Sequence, residues 1–88
     1  MEVKNKRVVV TGAASGIGKA LCEAFYQAGV KSLVAVDVNL DGAKQTADSV
    51  EGIAVEANVG KEDAIIDVIE KSNKHAGGVD IFCSNAGI

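Results

Sequence analysis

The sequence predicts an α/β chain built on a doubly wound parallel sheet, with elements in the order β-α-β-α-β-α-β. Short β-branched runs alternate with stretches of helical apolar period, and glycines stand at the junctions. Strands separated by helices of this length pair in parallel through right-handed crossovers. The composition is that of a globular chain, 48% hydrophobic and 24% charged, which excludes a disordered tail. Eighty-eight residues make one small domain or part of one.

Val8-Val9-Val10-Thr11 is a continuous β-branched run, as a strand buried on both faces requires. Residues 12–18 form a glycine-rich turn. From Ile17 the period becomes helical, with Ile17, Ala20, Leu21, Ala24, Phe25 and Ala28 forming one apolar stripe. Gly29 follows where a left-handed cap favours glycine. Leu33-Val34-Ala35-Val36-Asp37 is a second buried strand ending in an acid. Asn39 caps a short helix carrying Leu40, Ala43, Ala47 and Val50 on one face. Residues 52–57 are a third strand whose alternation suits a position nearer a sheet edge. Residues 60–75 are a third helix with Ile65, Val68, Ile69 and Ser72 in register. Glu62 and Asp63 fall in its first turn and Lys71, Lys74 and His75 in its last, both favourable to the helix dipole. Gly77-Gly78 ends it, and Ile81-Phe82-Cys83-Ser84 is a fourth strand.

Several function classes are disfavoured at this level. Nine basic and twelve acidic residues give a net charge of −3 with no basic cluster, which argues against nucleic acid or an anionic membrane as partner. One Tyr, two Phe and no Trp make a poor base-stacking platform. The apolar runs are too short to span a bilayer, and residues 1–7 do not open a secretory signal. Cys22 and Cys83 show no metal-ligand spacing and read as reduced, packed thiols of a cytoplasmic protein.

The segment Thr11-Gly12-Ala13-Ala14-Ser15-Gly16-Ile17-Gly18 lies between a strand and a helix. Gly12 permits a tight exit from the strand. Gly16 leaves room for a phosphate beside the backbone, and Gly18 lets the helix approach the strand. The first-turn amides, with the positive end of the helix dipole behind them, make an anion site, expected to take the diphosphate of a dinucleotide. A nucleoside-triphosphate loop is excluded, since Ala13 and Ala20 stand where it needs Gly and Ser or Thr. The spacing also differs from Gly-x-Gly-x-x-Gly. Three ordinary turn and packing glycines are the alternative.

Read as Thr-Gly-x-x-x-Gly-Ile-Gly, this segment resembles the cofactor signature of the short-chain dehydrogenase/reductase family. Asn58-Val59 resembles the family's Asp-Val pair beside the adenine. Ser84-Asn85-Ala86-Gly87 resembles its Asn-Asn-Ala-Gly. The resemblance covers essentially the whole chain. It implies a Rossmann-like sheet of order 3-2-1-4, the N-terminal part of a single NAD(P)-binding domain, with the catalytic part absent. The cofactor contacts it implies fall on Gly12, Ser15, Gly16, Ile17, Gly18, Asp37, Val38, Asn58, Val59, Asn85, Ala86 and Gly87. Asn58 and Ser84 depart from the family's residues. An amide at 58 can still meet the adenine amino group, at some cost in affinity.

Asp37 closes the second strand, nineteen residues after Gly18. A carboxylate there accepts the ribose hydroxyls and repels a 2′-phosphate. No Arg or Lys stands at Ala13, Ala14, Ser15 or Val38 to offset it, so NAD(H) is expected over NADP(H). A solvated or helix-capping acid is the alternative.

The family's proton donor is a Tyr-x-x-x-Lys pair with an upstream Ser. The single tyrosine here, Tyr26, is followed four residues on by Val30 and lies in the first helix. His75 has a structural reason for its place, at a helix C-terminus. The first expectation is therefore the NAD(H)-binding portion of an oxidoreductase acting on an alcohol/carbonyl pair, incomplete for turnover by itself. The second is a stand-alone nucleotide-binding or interaction module that pairs with a full-length relative. Methyl transfer from S-adenosylmethionine is opposed by the three motifs together. With the first two helices on one face and the third covering part of the other, some of the Val8–Val10 and Leu33–Val36 surface is expected to stay exposed. The fourth strand then forms an open apolar edge, and with a core supplying about 3–5 kcal/mol the expectation is marginal stability or self-association through that edge.

Overall fold

A computed structural model describes residues 3–58 and 62–85. Seven elements follow in the expected order: β1 (Arg7–Thr11), α1 (Gly16–Gln27), β2 (Ser32–Asp37), α2 (Leu40–Ser49), β3 (Ile53–Glu56), α3 (Glu62–Ala76) and β4 (Ile81–Cys83). The sheet runs β3-β2-β1-β4 with every pair parallel, the order expected. β1 is central, with Val9 opposite Val34 on one side and Phe82 on the other.

Period-two alternation sends the two β-branched strands into separate cores. Val8, Val10, Leu33 and Ala35 pack with Cys22 of α1 and Ala47 and Val50 beside β2. Val9, Val34 and Val36 pack on the other face with Val55 and Val68 of α3. The expected exposure of these strands is not found: the residues of Val8–Val10 and Leu33–Val36 are each at most 3% exposed. Valine-sized side chains make a narrow second face, and Val68, flanked by Ile53, Ala57 and Val79, suffices to close it. Exposed large apolar side chains lie outside these strands' cores instead, among them Ile17, Val38, Ile66, Ile69 and Phe82. β4 is the outer strand, as expected.

The stripe of α1 is rotated from the one expected. Gly18 and Cys22 are buried and Leu21 and Phe25 half-buried, whereas Ile17, Ala20, Ala24 and Ala28 are exposed. Gly18 decides the face. A Cβ there would stand 2.0 Å from the Gly12 carbonyl oxygen, so only a residue without a side chain can lie on the turn. The helix ends behave as expected. Gly29 and Gly77 close α1 and α3 with φ of 84° and 81°. The Asn39 side chain accepts from the Gly42 amide at 3.1 Å to cap α2. The side chains of Glu62, Asp63 and His75 lie outside those described.

At the end of the sheet away from the glycine turn, Arg7 holds the approach to β4. Its Nε donates to Asp80 at 2.9 Å and its Nη1 to the Gly77 carbonyl at 2.8 Å. This partnership holds the Asp80 carboxyl down at about 2. Both cysteines are free thiols, Cys22 buried and Cys83 half-buried. Burial pushes the Cys22 thiol up to about 11, with smaller contributions from Cys83 and Glu23. Among the described residues no helix is long and apolar enough to cross a membrane, and no cluster of His, Cys, Asp or Glu could hold a metal.

Candidate functional site

Gly12 leaves β1 with φ +64°, the left-handed region, and a Cβ there would stand 3.1 Å from the Asn85 carbonyl oxygen. The Ala13 amide donates to the Val36 carbonyl at 3.0 Å and the Ser15 amide to the Gly12 carbonyl at 3.1 Å. Ser15 then caps α1. Its hydroxyl donates to the Gly12 carbonyl at 2.7 Å, accepts from the Gly18 amide at 3.0 Å and accepts from Asn85 Nδ2 at 3.3 Å. One donor and two lone pairs are all used, which fixes the hydroxyl.

This leaves the two amides between Ser15 and Gly18. The N–H groups of Gly16 and Ile17 have no acceptor among the described residues. They begin α1, where partial positive charge accumulates. A Cβ on Gly16 would meet nothing within 4 Å, so the space beside these donors is open. Ile17 is 57% exposed next to it. Two free amides, an open approach and a helix dipole fit a phosphate group.

Asp37 stands at the end of β2 with its carboxylate turned to the turn. Oδ2 accepts from the Ala14 amide at 3.0 Å and Oδ1 from the Asn39 amide at 2.9 Å. Two of its four lone-pair positions stay available. Beyond it, at the ends of β2 and β3, an open cleft of about 360 Å³ is lined by Val38, Glu56, Ala57 and Asn58. The structure thus brings Gly12, Ser15, Gly16, Ile17, Gly18, Asp37, Val38, Asn58 and Asn85 to one end of the sheet. Val59, Ala86 and Gly87 lie outside the described residues. Asn85 is buried, and its amide donates to Thr11 Oγ1 at 2.8 Å while that hydroxyl donates to the Cys83 carbonyl at 3.3 Å. It therefore braces the turn from β4. Tyr26 is elsewhere, its exposed hydroxyl donating to the Glu51 carboxylate.

Two residues that touch the turn escaped the sequence reading. Thr46 of α2 is buried, and its hydroxyl donates to the Ala13 carbonyl at 2.9 Å. Its i+3 spacing from Ala43 was the available signal. Gly42 lies inside α2 against Ala14, and a glycine within a helix, costing about 1 kcal/mol against alanine, signals a close approach.

A twisted parallel sheet with a donor-lined glycine turn beyond its strand ends is a Rossmann-like nucleotide-binding architecture. Residues 6–88 match the family model described as short chain dehydrogenase, and the chain belongs to the short-chain dehydrogenase/reductase family, whose cofactor is NAD(P). It is 33% identical over 88 residues to a short chain dehydrogenase of Claviceps purpurea, aligning 94% of this chain with 33% of that protein. It is 35% identical over 88 residues to versicolorin reductase stcU of Emericella nidulans, again with 94% and 33% coverage. A crystal structure of hydroxysteroid dehydrogenase from Escherichia coli superposes with a TM-score of 0.90 at 29% identity, over 99% of this chain and 39% of that one. The chain spans about a third of the length of the curated relatives it matches.

Proposed function

We propose that this chain binds NAD(H) at the glycine turn, as the cofactor-binding portion of an oxidoreductase acting on an alcohol/carbonyl pair. The observation that carries the reading is the pair of free amides at Gly16 and Ile17 beside open space at the start of α1. The diphosphate would rest on these two amides. Val38 and Asn58 would line the adenine side of the cleft, and the segment from Asn85 through Ala86 and Gly87 would approach the nicotinamide ribose. When bound, the nicotinamide supplies the hydride acceptor or donor.

The preference for NAD(H) is supported by Asp37. Two backbone N–H groups hold its carboxylate at the rim of the turn, so it cannot swing away from a 2′-phosphate without losing both. The remaining lone pairs suit ribose hydroxyls. No cation stands at Ala13, Ala14, Ser15 or Val38. Proton donation to a carbonyl requires a group at the cofactor, and Tyr26, bonded to Glu51, does not meet that need. These 88 residues are therefore assigned cofactor binding rather than the proton-transfer step.

Fluorescence titration with NADH and NADPH in parallel tests the reading. Saturable NADH binding, with NADPH at least about tenfold weaker, is expected. Binding of neither dinucleotide overturns it, and preferential NADPH binding overturns the role of Asp37.

A further inference from the structure

We infer that α2 positions the glycine turn through Gly42 and Thr46, and thereby sets the affinity of that turn for its ligand. The inference rests on the reading of the turn as a dinucleotide site. Its observations form a closed ring of contacts. The Ala14 amide donates to Asp37, the other Asp37 oxygen accepts from the Asn39 amide, and the Asn39 side chain caps Gly42. Gly42 then returns to Ala14: a Cβ on it would stand 2.6 Å from the Ala14 Cβ and 3.1 Å from Asn39 Nδ2. Thr46, one helical turn further on, ties the neighbouring residue by donating its buried hydroxyl to the Ala13 carbonyl at 2.9 Å.

The ring holds residues 13 and 14, and the free amides of Gly16 and Ile17 follow directly after the Ser15 cap. A methyl at 42 falls about 0.8 Å short of ordinary carbon contact, so α2 or the turn must move by that order. Hydrogen bonds to an anion weaken steeply with such displacements and with the angles they change. Size at position 42 is thus coupled to size at position 14. The coupling should be reciprocal, since Ala14→Gly removes the atom that a methyl at 42 would strike.

The test is a double-mutant cycle in the full protein, with Gly42→Ala, Ala14→Gly and both together, beside Thr46→Val and Thr46→Ser. Two quantities are read: NADH affinity, and the backbone amide signals of residues 12–18 without ligand. Gly42→Ala should shift the Gly16 and Ile17 signals and raise the Kd about tenfold. The double variant should return both toward the wild type, a recovery that loss of general stability would not produce. Thr46→Val should weaken binding and Thr46→Ser retain it, because only serine keeps the hydroxyl. Gly42→Ala with wild-type signals and affinity overturns the inference, as does a double variant no better than Gly42→Ala. If the wild type binds no NADH, the dinucleotide reading fails, and the amide signals of the free protein still decide the coupling.

Discussion

Alanine at position 16 and alanine at position 18 should act in opposite directions, although the two residues share one turn of α1. Neither glycine has the positive φ that penalises a side chain, so space decides. At Gly16 a Cβ meets nothing within 4 Å. Gly16→Ala should therefore gain about 0.4–1 kcal/mol by reducing the freedom of the unfolded chain. At Gly18 a Cβ would stand 2.0 Å from the Gly12 oxygen, 2.7 Å from the Gly12 carbonyl carbon and 2.9 Å from the Ala13 Cα. All three are backbone atoms and none can rotate away. Gly18→Ala should lose about 1–3 kcal/mol or more even after its helix-propensity gain. Urea melts read both, with a midpoint rise of roughly half a molar for the first and a fall of about 1–2 M for the second. Binding separates the variants further. Gly16→Ala, the more stable protein, should lose NADH affinity because its methyl occupies the approach to the free amides. A destabilised Gly16→Ala beside a neutral Gly18→Ala would contradict this difference in space, and so would a Gly16→Ala protein that binds as the wild type does.

Asp37→Asn removes the charge and keeps one acceptor oxygen, so one of the Ala14 and Asn39 amides retains its partner while the other loses it. The variant should narrow the gap between NADH and NADPH affinities by about tenfold, measured by parallel titrations. Asp80 titrates at about 2 beside Arg7, below its unfolded value near 3.9. The stability it contributes is thus complete above about pH 4 to 5 and lost as pH falls through 2. Asp80→Asn should flatten that acid limb in melts taken across pH. The buried Cys22 thiol, raised to about 11, ionises later than in the unfolded chain. Its contribution is complete below about pH 8.5 and lost as pH rises toward 11. Iodoacetamide at neutral pH should leave Cys22 unmodified until denaturant is added, as mass spectrometry of the modified peptide reports.

What was legible in the sequence was whatever depends on local pattern. The valine runs of β1 and β2 announce strands covered on both faces. Gly29, Asn39 and Gly77 mark helix ends through their own backbone and side-chain chemistry. The glycine spacing marks a turn that can take an anion. What escaped depends on contacts between elements distant in the chain. The apolar count along α1 gives Ile17 and three alanines one face, yet the helix turns Gly18 and Cys22 inward, because contact with Gly12 outweighs the methyl groups of alanine. Ser15 is legible only as a residue of the glycine turn, since its bond from Asn85 requires β4 to lie beside β1. Asp37 reads as a ribose acceptor, while its hold on the Ala14 amide needs β2 and the turn side by side. That α3, through Val68, supplies the cover over Val9 and Val34 is specified by no spacing within either strand.

The proposed binding mode places the diphosphate of a dinucleotide on the amides of Gly16 and Ile17. Titration of the uniformly 15N-labelled protein with NADH, following each backbone amide, addresses it residue by residue. Saturable shifts should be largest at Gly16 and Ile17 and accompanied by shifts at Val38 and Asn58 around the cleft. Shifts confined to other parts of the protein, or none at millimolar NADH, would contradict it.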